Sequence, residues 1–401
     1  MHVAAFFHRF GPYHQARLDA AGQRMQLTGI EVAGHTEDYA WDAVEGATSF
    51  ERITLFPEQE SASVSRQGLT SAIHAALSTL KPSVVAIHGW SIPSALSATR
   101  WCLQTETPSV IMSESTAHDE SRTWWREAVK QRIVSLHQSG LVGGSLHEKY
   151  LSDLGCPSER IFQGYDVVDN RHFAEGAQEA RSWSREVQTE RGIPERYFLA
   201  SARFIPKKNL FRLLQSYAEY RSRSKKVPWD LVLLGDGPLW NDIVQHRQAL
   251  RLESSVHLPG FKQYDALPCY YGRADAFVHA STTEQWGLVV NEAMAAGLPV
   301  LVSNRCGCSA DLVDPGINGF TFDPCDVDTL AAQMHHLASD RCDRSALGAA
   351  SQRIIEDWSP SAFGKGLYRA CRSALIEGCP SRSHIISTLT NDLLLRALLL
   401  R

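Results

Sequence analysis

The sequence predicts an α/β protein built from two tandem domains, each a parallel sheet covered by helices. Short apolar β-like runs alternate with helical stretches in the first half of the 401-residue chain, and a second alternating series begins near Tyr197. Between the two series, residues 174–195 are polar, charged and rich in Gly and Ala, as at a domain boundary. The length also suits two or three domains of ordinary size.

The first series contains five candidate strands, with a helix expected over residues 122–138. The strands are apolar runs without polar alternation, which is typical of strands buried on both faces of a parallel sheet. In chain order they are residues 2–7, 83–88, 109–114, 139–145 and 160–166.

The second series has the same character, and its first helix is expected over residues 209–220 from apolar residues at three-to-four spacing. Its strands are expected in residues 197–204, 230–237, 256–261, 276–281, 299–303 and 319–324. In open parallel sheets, ligands bind at the carboxyl ends of the strands, so the loops after these strands are the candidate site.

The composition argues against several classes of protein. The formal net charge is −4, so the chain as a whole has no basic excess for nucleic acid. No run of about 18 apolar residues exists, so no transmembrane segment is expected. The nine cysteines form no CxxC pair, and Cys306-Gly-Cys308 is too tightly spaced for a usual zinc site. We expect reduced thiols, a cytoplasmic location and no metal site.

Two glutamates flank a predicted helix start in "EQWGLVVNEAMAAG". Glu284 follows a strand, Gly287 and Leu288 lie at the helix N-terminus, and Glu292 lies about one turn further in. Free N–H groups at a helix N-terminus suit a phosphate, and carboxylates suit vicinal hydroxyls, so the arrangement fits a nucleotide sugar. The spacing alone fits equally well an ordinary surface Glu292 and a Glu284 that stabilises the helix start.

A second group favours the anion site. In "ARFIPKKN", Arg203 ends a strand and Lys208 follows five residues later, before a helix. Both should project from the same edge of the sheet, where two cations can hold a diphosphate.

The second half resembles the retaining glycosyltransferases of family 4. "RFIPKKN", "LVLLGDGPL", "VHLPGF", "EQWGLVVNEAMAAGLPVLVS" and "GINGFTFDP" occur in the family's order, and "RIFQGYDVVDNRHF" matches more loosely. The resemblance implies the GT-B fold, with two facing Rossmann-like domains, an interdomain cleft and a C-terminal crossover helix. It implies an acceptor-binding domain over residues 1–173, a linker over 174–195 and a nucleotide-sugar-binding domain over 196–355. Residues 356–401 would be helices that return toward the N-terminal domain.

The resemblance also implies roles for single residues. Arg203 and Lys208 would neutralise the donor diphosphate, and Glu284 and Glu292 would hold the sugar and ribose hydroxyls. The remaining implied contacts to the donor are backbone contacts from two loops and a helix start. They involve Gly287, Leu288 and Val289 at the phosphate, Gly260 and Phe261 at the base, and Gly11 in a loop near the phosphates.

One departure concerns the histidine that many family members have after the third predicted strand. Glu114 occupies that register here, His118 lies four residues later, and His88 ends the preceding strand. The sequence leaves the role open among these three residues.

The expected function is metal-independent, retaining transfer of a sugar from a nucleoside-diphosphate sugar to an acceptor hydroxyl, without a further cofactor. UDP is the expected nucleotide, and GDP and ADP stay open. The alternatives are a sugar-nucleotide epimerase of the same architecture and a non-catalytic sugar-nucleotide-binding protein. The acceptor is not identified. "RTWWREAVKQR" combines two Trp with basic residues, so the helix is expected either to pack with a solvated basic face or to contact the inner face of a membrane.

Overall fold

A computed structural model describes residues 1–35, 48–60, 64–120, 122–378 and 385–399. The described residues form two compact units, one of Met1–Val167 with Pro360–Arg401 and one of Val168–Ser359. Each unit contains one sheet in which all the recorded strand pairings are parallel. The prediction of two α/β domains in tandem is therefore confirmed.

The sheet of the first unit has seven strands in the order β3-β2-β1-β4-β5-β6-β7. They are β1 His2–Phe7, β2 Gln26–His35, β3 Glu51–Glu60, β4 Val84–His88, β5 Ser109–Ser113, β6 Ser139–Val142 and β7 Ile161–Gln163. All five predicted strands are present. The sequence analysis missed β2 and β3, which carry several charged and polar residues and so lack the continuous apolar runs that mark β1, β4 and β5.

The sheet of the second unit has six strands in the order β10-β9-β8-β11-β12-β13. They are β8 Tyr197–Ser201, β9 Asp230–Leu234, β10 Val256–Gly260, β11 Ala276–His279, β12 Val300–Ser303 and β13 Gly319–Phe322. Every strand expected in this half is confirmed. Its core consists of side chains such as Phe198, Leu231 and Val278, which are at most 1% exposed.

Sixteen helices are present among the described residues. They are α1 Pro12–Gly22, α2 Arg66–Leu80, α3 Pro93–Thr105, α4 Trp124–Val134, α5 Ser145–Asp153, α6 Asn170–Arg181, α7 Arg185–Glu190, α8 Leu210–Arg223, α9 Trp240–Ala249, α10 Leu267–Arg273, α11 Leu288–Ala295, α12 Ser309–Leu312, α13 Val327–Ala338, α14 Arg344–Ile355, α15 Pro360–Glu377 and α16 Ile385–Leu399.

The division of the chain differs from the predicted boundaries. Residues 174–195, expected to be a linker, belong to the second unit and hold most of α6 and all of α7. Their polar composition reflects an amphipathic helix, because Phe173, Ala177 and Ala180 of α6 are buried while the charged residues between them face outward. The second unit begins at Val168, and the chain joins the first unit again at Pro360.

Both sheets have a switch point, where the strand order reverses. In the first unit, β1 pairs with both β2 and β4, and in the second unit, β8 pairs with both β9 and β11. In the first sheet the chain runs from β1 to β2 on one side and from β4 to β5 on the other. In the second sheet it runs from β8 to β9 on one side and from β11 to β12 on the other. Such a point leaves a crevice at the carboxyl ends of the strands, where doubly wound sheets bind ligands. No helix in the described ranges is both long and apolar enough to span a bilayer.

The turn after β9 shows how closely the loops at this edge approach one another. Gly235 has φ +129°, and a Cβ atom at this position would lie 1.8 Å from the carbonyl oxygen of Ala202. Gly316 also has positive φ, at +81°, but an added Cβ there meets nothing within 4 Å. An alanine at Gly235 would therefore meet both a steric clash and an unfavourable φ, whereas an alanine at Gly316 would meet only the unfavourable φ.

We predict that Gly235→Ala destabilises the protein by more than about 2 kcal/mol, because the clash adds to the strain of a left-handed backbone. Gly316→Ala, which adds only the backbone strain, should cost about 1 kcal/mol. Urea denaturation of both variants measures the difference. Equal losses of stability would show that the close approach to Ala202 is not a constraint.

Candidate functional site

The candidate site lies at the switch point of the second sheet, where the loops after β8 and β11 meet. The loop after β8 carries Arg203 and ends in a 3₁₀ turn over Pro206–Lys208. The loop after β11 carries Glu284. Strand pairing brings these segments together although about eighty residues separate Arg203 from Glu284 in the sequence. The structure therefore joins Lys208, predicted to hold the donor diphosphate, and Glu284, predicted to hold the donor sugar.

Glu284 is the centre of a cluster of charged and polar groups. Its side chain is 11% exposed, and one carboxylate oxygen accepts a hydrogen bond from Lys208, which is 13% exposed. Lys207 Nζ lies 3.2 Å from the other oxygen. Two further groups lie next to Glu284 Oε2, the oxygen that Lys208 contacts. His279 Nε2 is 3.6 Å from it, and the Ser281 hydroxyl donates a hydrogen bond to it over 3.3 Å. Two lysines, a histidine and a serine thus surround one carboxylate.

These neighbours determine the charge states in the cluster. Burial opposes ionisation of Glu284, but the hydrogen bond from His279 and the charges of Lys208 and Lys207 outweigh it and hold the pKa of Glu284 well below its usual range. Burial lowers the pKa of His279, with further lowering by the lysine charges. The carboxylate is therefore ionised at neutral pH, and the histidine next to it is neutral.

Backbone hydrogen bonds hold the cluster in place. The Thr282 N–H donates to the Lys207 carbonyl over 2.8 Å, which ties the loop after β11 directly to the lysine turn. The Gly307 N–H donates to the Glu284 carbonyl over 3.0 Å, so the loop after β12 supports the other side. Asn209, buried and at φ +57°, donates its side-chain amide to the carbonyls of Ala280 and Pro324.

The helix that follows Glu284 starts against the same cluster. Gly287 is the N-cap of α11 at φ +110°, a backbone conformation that favours glycine. A Cβ atom added there would lie 3.5 Å from His279 Nε2 and 3.6 Å from Glu284 Cγ, so the helix N-terminus adjoins the carboxylate. Leu288 and Val289, the first residues of α11, are only half-buried. Their N–H groups and the helix dipole make this end suitable for an anion.

Glu292 lies one turn inside α11 and is fully buried. Its carboxylate accepts a 2.5 Å hydrogen bond from the hydroxyl of Tyr271. The alternative in which Glu292 is an ordinary surface residue of the helix is therefore wrong. Its role toward ribose hydroxyls stays a prediction.

The other residues predicted to contact the donor in this unit surround the same edge. Arg203 is exposed in the loop after β8. Gly260 ends β10 at φ +80°. A Cβ atom added there would meet nothing within 4 Å, so no other part of the protein covers this side of the Gly260 backbone. Phe261 follows it and is 38% exposed. The Gly260 carbonyl accepts a 3.1 Å hydrogen bond from the Gly235 N–H, which joins the β9 and β10 ends.

Gly11 lies in the other unit, at the switch point of the first sheet. It caps α1 after β1, and its N–H donates to His14 Nδ1 over 3.2 Å. His88, at the end of the neighbouring strand β4, stacks on Phe7 with ring centroids 6.3 Å apart. Burial, with the nearby His8 charge, lowers the pKa of His88 to about 4, so this ring is neutral at pH 7.

The three candidates for the histidine role occupy different environments. His118 is exposed in the loop after β5. Glu114 follows β5, and burial together with the nearby charge of Glu114 raises the pKa of Asp166 well above its ordinary range. Arg17 lies 3.9 Å from Asp166, and both side chains are buried. Among the three, His88 is the one located at the switch point itself.

Several residues of the cluster escaped the sequence analysis. Lys207 precedes the predicted Lys208, and the pair "KK" before a helix was a usable signal. His279 and Ser281 follow the apolar start of β11, and a histidine at the carboxyl end of a buried parallel strand was a second signal. Within the described ranges, no group of three or more His, Cys, Asp or Glu side chains is placed to bind a metal ion.

The buried ion pair predicts how stability depends on pH. The pKa of Glu284 is depressed in the folded protein, so its contribution is fully present above the ordinary value of 4.5 and declines as pH falls below it. We predict that Glu284→Gln destabilises the protein by about 3 kcal/mol at pH 7, because the largely buried Lys208 loses its counter-charge. The difference from wild type should stay nearly constant down to about pH 4.5 and shrink as pH falls further.

Urea denaturation at a series of pH values measures this difference. Glu253→Gln, which removes a carboxylate from an exposed position of the same unit, is the matched control. A destabilisation by Glu284→Gln that does not decrease between pH 4.5 and about pH 2.5 would contradict the proposed charge state.

Comparison with known proteins finds relatives of the second half of the chain. Residues 185–354 match the family model of glycosyl transferases group 1. The chain is 33% identical over 175 residues to an alpha-monoglucosyldiacylglycerol synthase of Streptococcus pneumoniae, covering 40% of this chain and 39% of the relative. It is 31% identical over 183 residues to the sulfoquinovosyl transferase SQD2 of Arabidopsis thaliana, covering 44% of this chain and 34% of the relative. The chain thus spans well under two thirds of the length of these curated relatives.

Solved structures match nearly the whole chain. The Anabaena protein HepE in complex with UDP superimposes with a TM-score of 0.68 at 16% identity, over 92% of this chain and 98% of that chain. Sucrose-phosphate synthase from Thermosynechococcus elongatus gives 0.70 at 17% identity, over the same shares. At this identity the likeness concerns the fold, which in these proteins is GT-B. Residues 185–354 are thus similar to the glycosyl transferases group 1 family, and the fold of the chain is GT-B.

Proposed function

We propose that this protein is a retaining glycosyltransferase that moves a sugar from a nucleoside-diphosphate sugar to an acceptor hydroxyl. The observation that carries the proposal is the cluster of Lys208, Lys207 and Glu284 beside the N-terminus of α11. Cations and a helix N-terminus suit a diphosphate, and a carboxylate next to them suits sugar hydroxyls. The second unit is the donor-binding unit in this proposal, and the first unit binds the acceptor.

The comparisons support a UDP-sugar as the donor. HepE structures with UDP and with UDP-glucose match this chain at TM-scores of 0.68 and 0.67. A structure titled as trehalose-6-phosphate from E. coli bound with UDP-2-fluoro glucose matches with a TM-score of 0.70. These ligands belong to those proteins, and we extend the UDP-sugar to this chain on the basis of the shared fold and the lysine–glutamate cluster.

Without a donor, the two lysines are already placed by their ion pairs with Glu284. In the absence of donor, Glu284 pairs with both Lys208 and Lys207, so Lys208 has a counter-charge, while two ammonium groups against one carboxylate leave one positive charge in excess. When the donor binds, its diphosphate takes over the lysines and the N–H groups at Leu288 and Val289. Glu284 is then released from the ion pair to accept hydrogen bonds from the donor sugar. Charge that develops on the departing diphosphate is stabilised by groups already in position.

The other residues at the edge complete the donor site in this proposal. Glu292 binds the ribose hydroxyls and Arg203 provides a further cation at the diphosphate. Gly260 and Phe261 contact the nucleotide base from the end of β10, where the backbone is open. Gly11 lies at the corresponding edge of the first sheet, and we assign it to a loop near the phosphates.

The reaction needs neither a metal ion nor a dedicated general base in this scheme. The two lysines and the helix N-terminus supply the positive charge that a divalent cation would otherwise provide. The departing phosphate accepts the proton of the acceptor hydroxyl on the same face of the sugar, which retains the configuration at the anomeric carbon.

A thermal-shift screen is the first test. UDP-, GDP- and ADP-sugars are added to the full chain, and a ligand that binds the folded state raises the melting temperature by mass action. We expect UDP-sugars to give the largest shift. A chain that responds to no nucleotide sugar, and transfers none to any hydroxyl acceptor, would contradict the proposal.

Two variants separate donor binding from sugar transfer. Lys208→Ala should weaken UDP binding roughly 10- to 100-fold, because a charged hydrogen bond contributes about 1.5–3 kcal/mol. Glu284→Gln should leave UDP binding unchanged or tighter, since the competing carboxylate is removed, while kcat/KM falls roughly 100-fold for a lost charged contact to the sugar. Calorimetry with UDP and a transfer assay measure the two effects.

The matched control is Lys226→Ala, which removes an exposed lysine of the same unit that pairs with Asp340. It should change neither UDP affinity nor transfer. Parallel losses of UDP binding in Lys208→Ala and Glu284→Gln would contradict the exchange of Lys208 from Glu284 to the diphosphate.

The mechanism is tested with the active donor and acceptor. We predict that transfer continues at an unchanged rate in excess EDTA, and that the product has the anomeric configuration of the donor by proton NMR. Loss of activity in EDTA with recovery on adding Mg²⁺ or Mn²⁺ would overturn metal independence. A product of opposite configuration would overturn retention.

A further inference from the structure

The buried carboxylate of Glu292 is hydrogen-bonded to a tyrosine on a different helix. Glu292 lies in α11, Tyr271 lies in α10, and both side chains are fully buried. The Tyr271 hydroxyl donates to Glu292 Oε2 over 2.5 Å, at the short end of the range for a hydroxyl bound to a charged oxygen. Burial and the Glu292 charge raise the pKa of Tyr271 well above its ordinary value, so the hydroxyl keeps its proton and remains a donor.

Aromatic side chains fix the orientation of the Tyr271 ring. Phe173 of α6 meets this ring edge to face, with the ring centroids 5.6 Å apart, and the Phe277 ring of β11 also lies 5.6 Å away. Both phenylalanines are fully buried. Because side chains packed this closely stay in one rotamer, the Tyr271 hydroxyl occupies a fixed position beside α11.

Helix α10, which carries Tyr271, is in direct contact with α6. A Cβ atom added to Gly272 would lie 2.5 Å from the carbonyl oxygen of Ala177. A Cβ atom added to Gly176 would lie 2.5 Å from the Pro268 side chain. The small size of these two glycines lets the helices approach closely, so the packing of α10 on α6 determines where the Tyr271 hydroxyl lies.

The position of Glu292 in α11 relates it to the proposed diphosphate site. Side chains of an α-helix lean toward its N-terminus, so the Glu292 side chain covers the turn that begins at Leu288. Leu288 is half-buried, and its N–H is one of those that we assign to the diphosphate. In a nucleoside diphosphate the ribose is joined directly to the phosphates. A carboxylate one turn from the phosphates is therefore at a suitable distance for the ribose hydroxyls.

We propose that Tyr271 is a positioning residue that orients the Glu292 carboxylate for the ribose hydroxyls of the donor nucleotide. A flexible side chain that is anchored at one oxygen before the ligand arrives loses less conformational freedom on binding. Glu292 is fully covered without a donor, so the covering side chains move aside when the ribose enters, while Tyr271 keeps the carboxylate in place. The inference rests on the proposed function, because it requires a nucleotide in the second unit.

Calorimetry with two nucleotides tests the inference on the full chain. UDP is compared with its dideoxyribose analogue, which lacks both ribose hydroxyls but keeps the base and the diphosphate. The ratio of the two dissociation constants measures ribose recognition, because a loss of folded protein or of phosphate contacts weakens both ligands by the same factor. We expect wild type to bind UDP roughly 10- to 100-fold more tightly than the analogue, as for a hydrogen bond to a charged group.

Tyr271→Phe removes only the hydroxyl and keeps the ring. We expect the ratio to fall to about 3 or less through weaker binding of UDP, with the affinity for the analogue nearly unchanged. In Glu292→Ala the ratio should already be about 1, and adding Tyr271→Phe should not change it further. A ratio that stays high in Glu292→Ala and falls only when Tyr271→Phe is added would show that Tyr271 contacts the ribose itself. That result would overturn the positioning role.

The matched control is Tyr217→Phe, which removes another buried hydroxyl of the same unit. The Tyr217 side chain is fully buried, and its hydroxyl oxygen lies 2.9 Å from the Trp229 carbonyl and 3.1 Å from the Ser255 carbonyl. These carbonyls directly precede β9 and β10, so they lie at the edge of the sheet opposite to the candidate site. Tyr217→Phe should leave the ratio at its wild-type value, and melting temperatures confirm that each variant is folded.

The possible results separate this inference from the proposed function. If wild type binds UDP more tightly than the analogue and Tyr271→Phe leaves the ratio unchanged, the role of Tyr271 alone is overturned. If wild type binds both ligands equally, the ribose role of Glu292 fails together with this inference, while the lysine–glutamate cluster stays the diphosphate site. A wild-type chain that binds no nucleotide would instead contradict the proposed function.

Discussion

The candidate site depends on one interaction, the ion pair between Glu284 and the lysines of the loop after β8. A carboxylate that is only 11% exposed must be paired and hydrogen-bonded to stay charged. Lys208, Lys207 and Ser281 meet this requirement, and the fixed positions of these groups follow from strand pairing. Because β8 and β11 are neighbours in the sheet, the loops that follow them converge at their carboxyl ends. The ion pair therefore forms because β8 and β11 are adjacent in the sheet of the second unit.

Residues next to the ion pair fix the positions of the loops that carry Lys208 and Glu284. Asn209 adopts a left-handed backbone so that its amide reaches the ends of β11 and β13, and Gly287 does so to begin α11 beside Glu284. Trp286, which precedes Gly287 in the sequence, is buried, and its indole N–H donates a hydrogen bond to the Asn291 side chain over 2.8 Å. Rigid support of this kind lets the cations exchange one anion for another without rearranging the loops, which is the preorganisation that electrostatic catalysis requires.

Much of this could be predicted from the sequence, for physical reasons that differ between elements. Apolar runs such as residues 2–7 and 230–234 mark strands buried on both faces, and the helix start at Gly287 is visible as a glycine before an apolar run. Strands β2 and β3 were missed because their charged residues break the apolar pattern, and α6 and α7 were taken for a linker because their exposed faces are highly charged. The contact of Lys207 with Glu284 was missed as well, since it arises from the pairing of strands distant in sequence. The burial of Glu292 against Tyr271 likewise depends on tertiary packing that the spacing of two glutamates does not specify.

The central claim is that Lys208 exchanges Glu284 for the donor diphosphate, and the structure of the chain bound to UDP tests it most directly. The account predicts a diphosphate oxygen about 3 Å from Lys208 Nζ, the usual distance of a charge-assisted hydrogen bond, with the phosphates against the N-terminus of α11. In that complex the Glu284 carboxylate no longer contacts Lys208 and faces the position of the donor sugar. A complex in which UDP lies elsewhere while Lys208 remains paired with Glu284 would contradict the account.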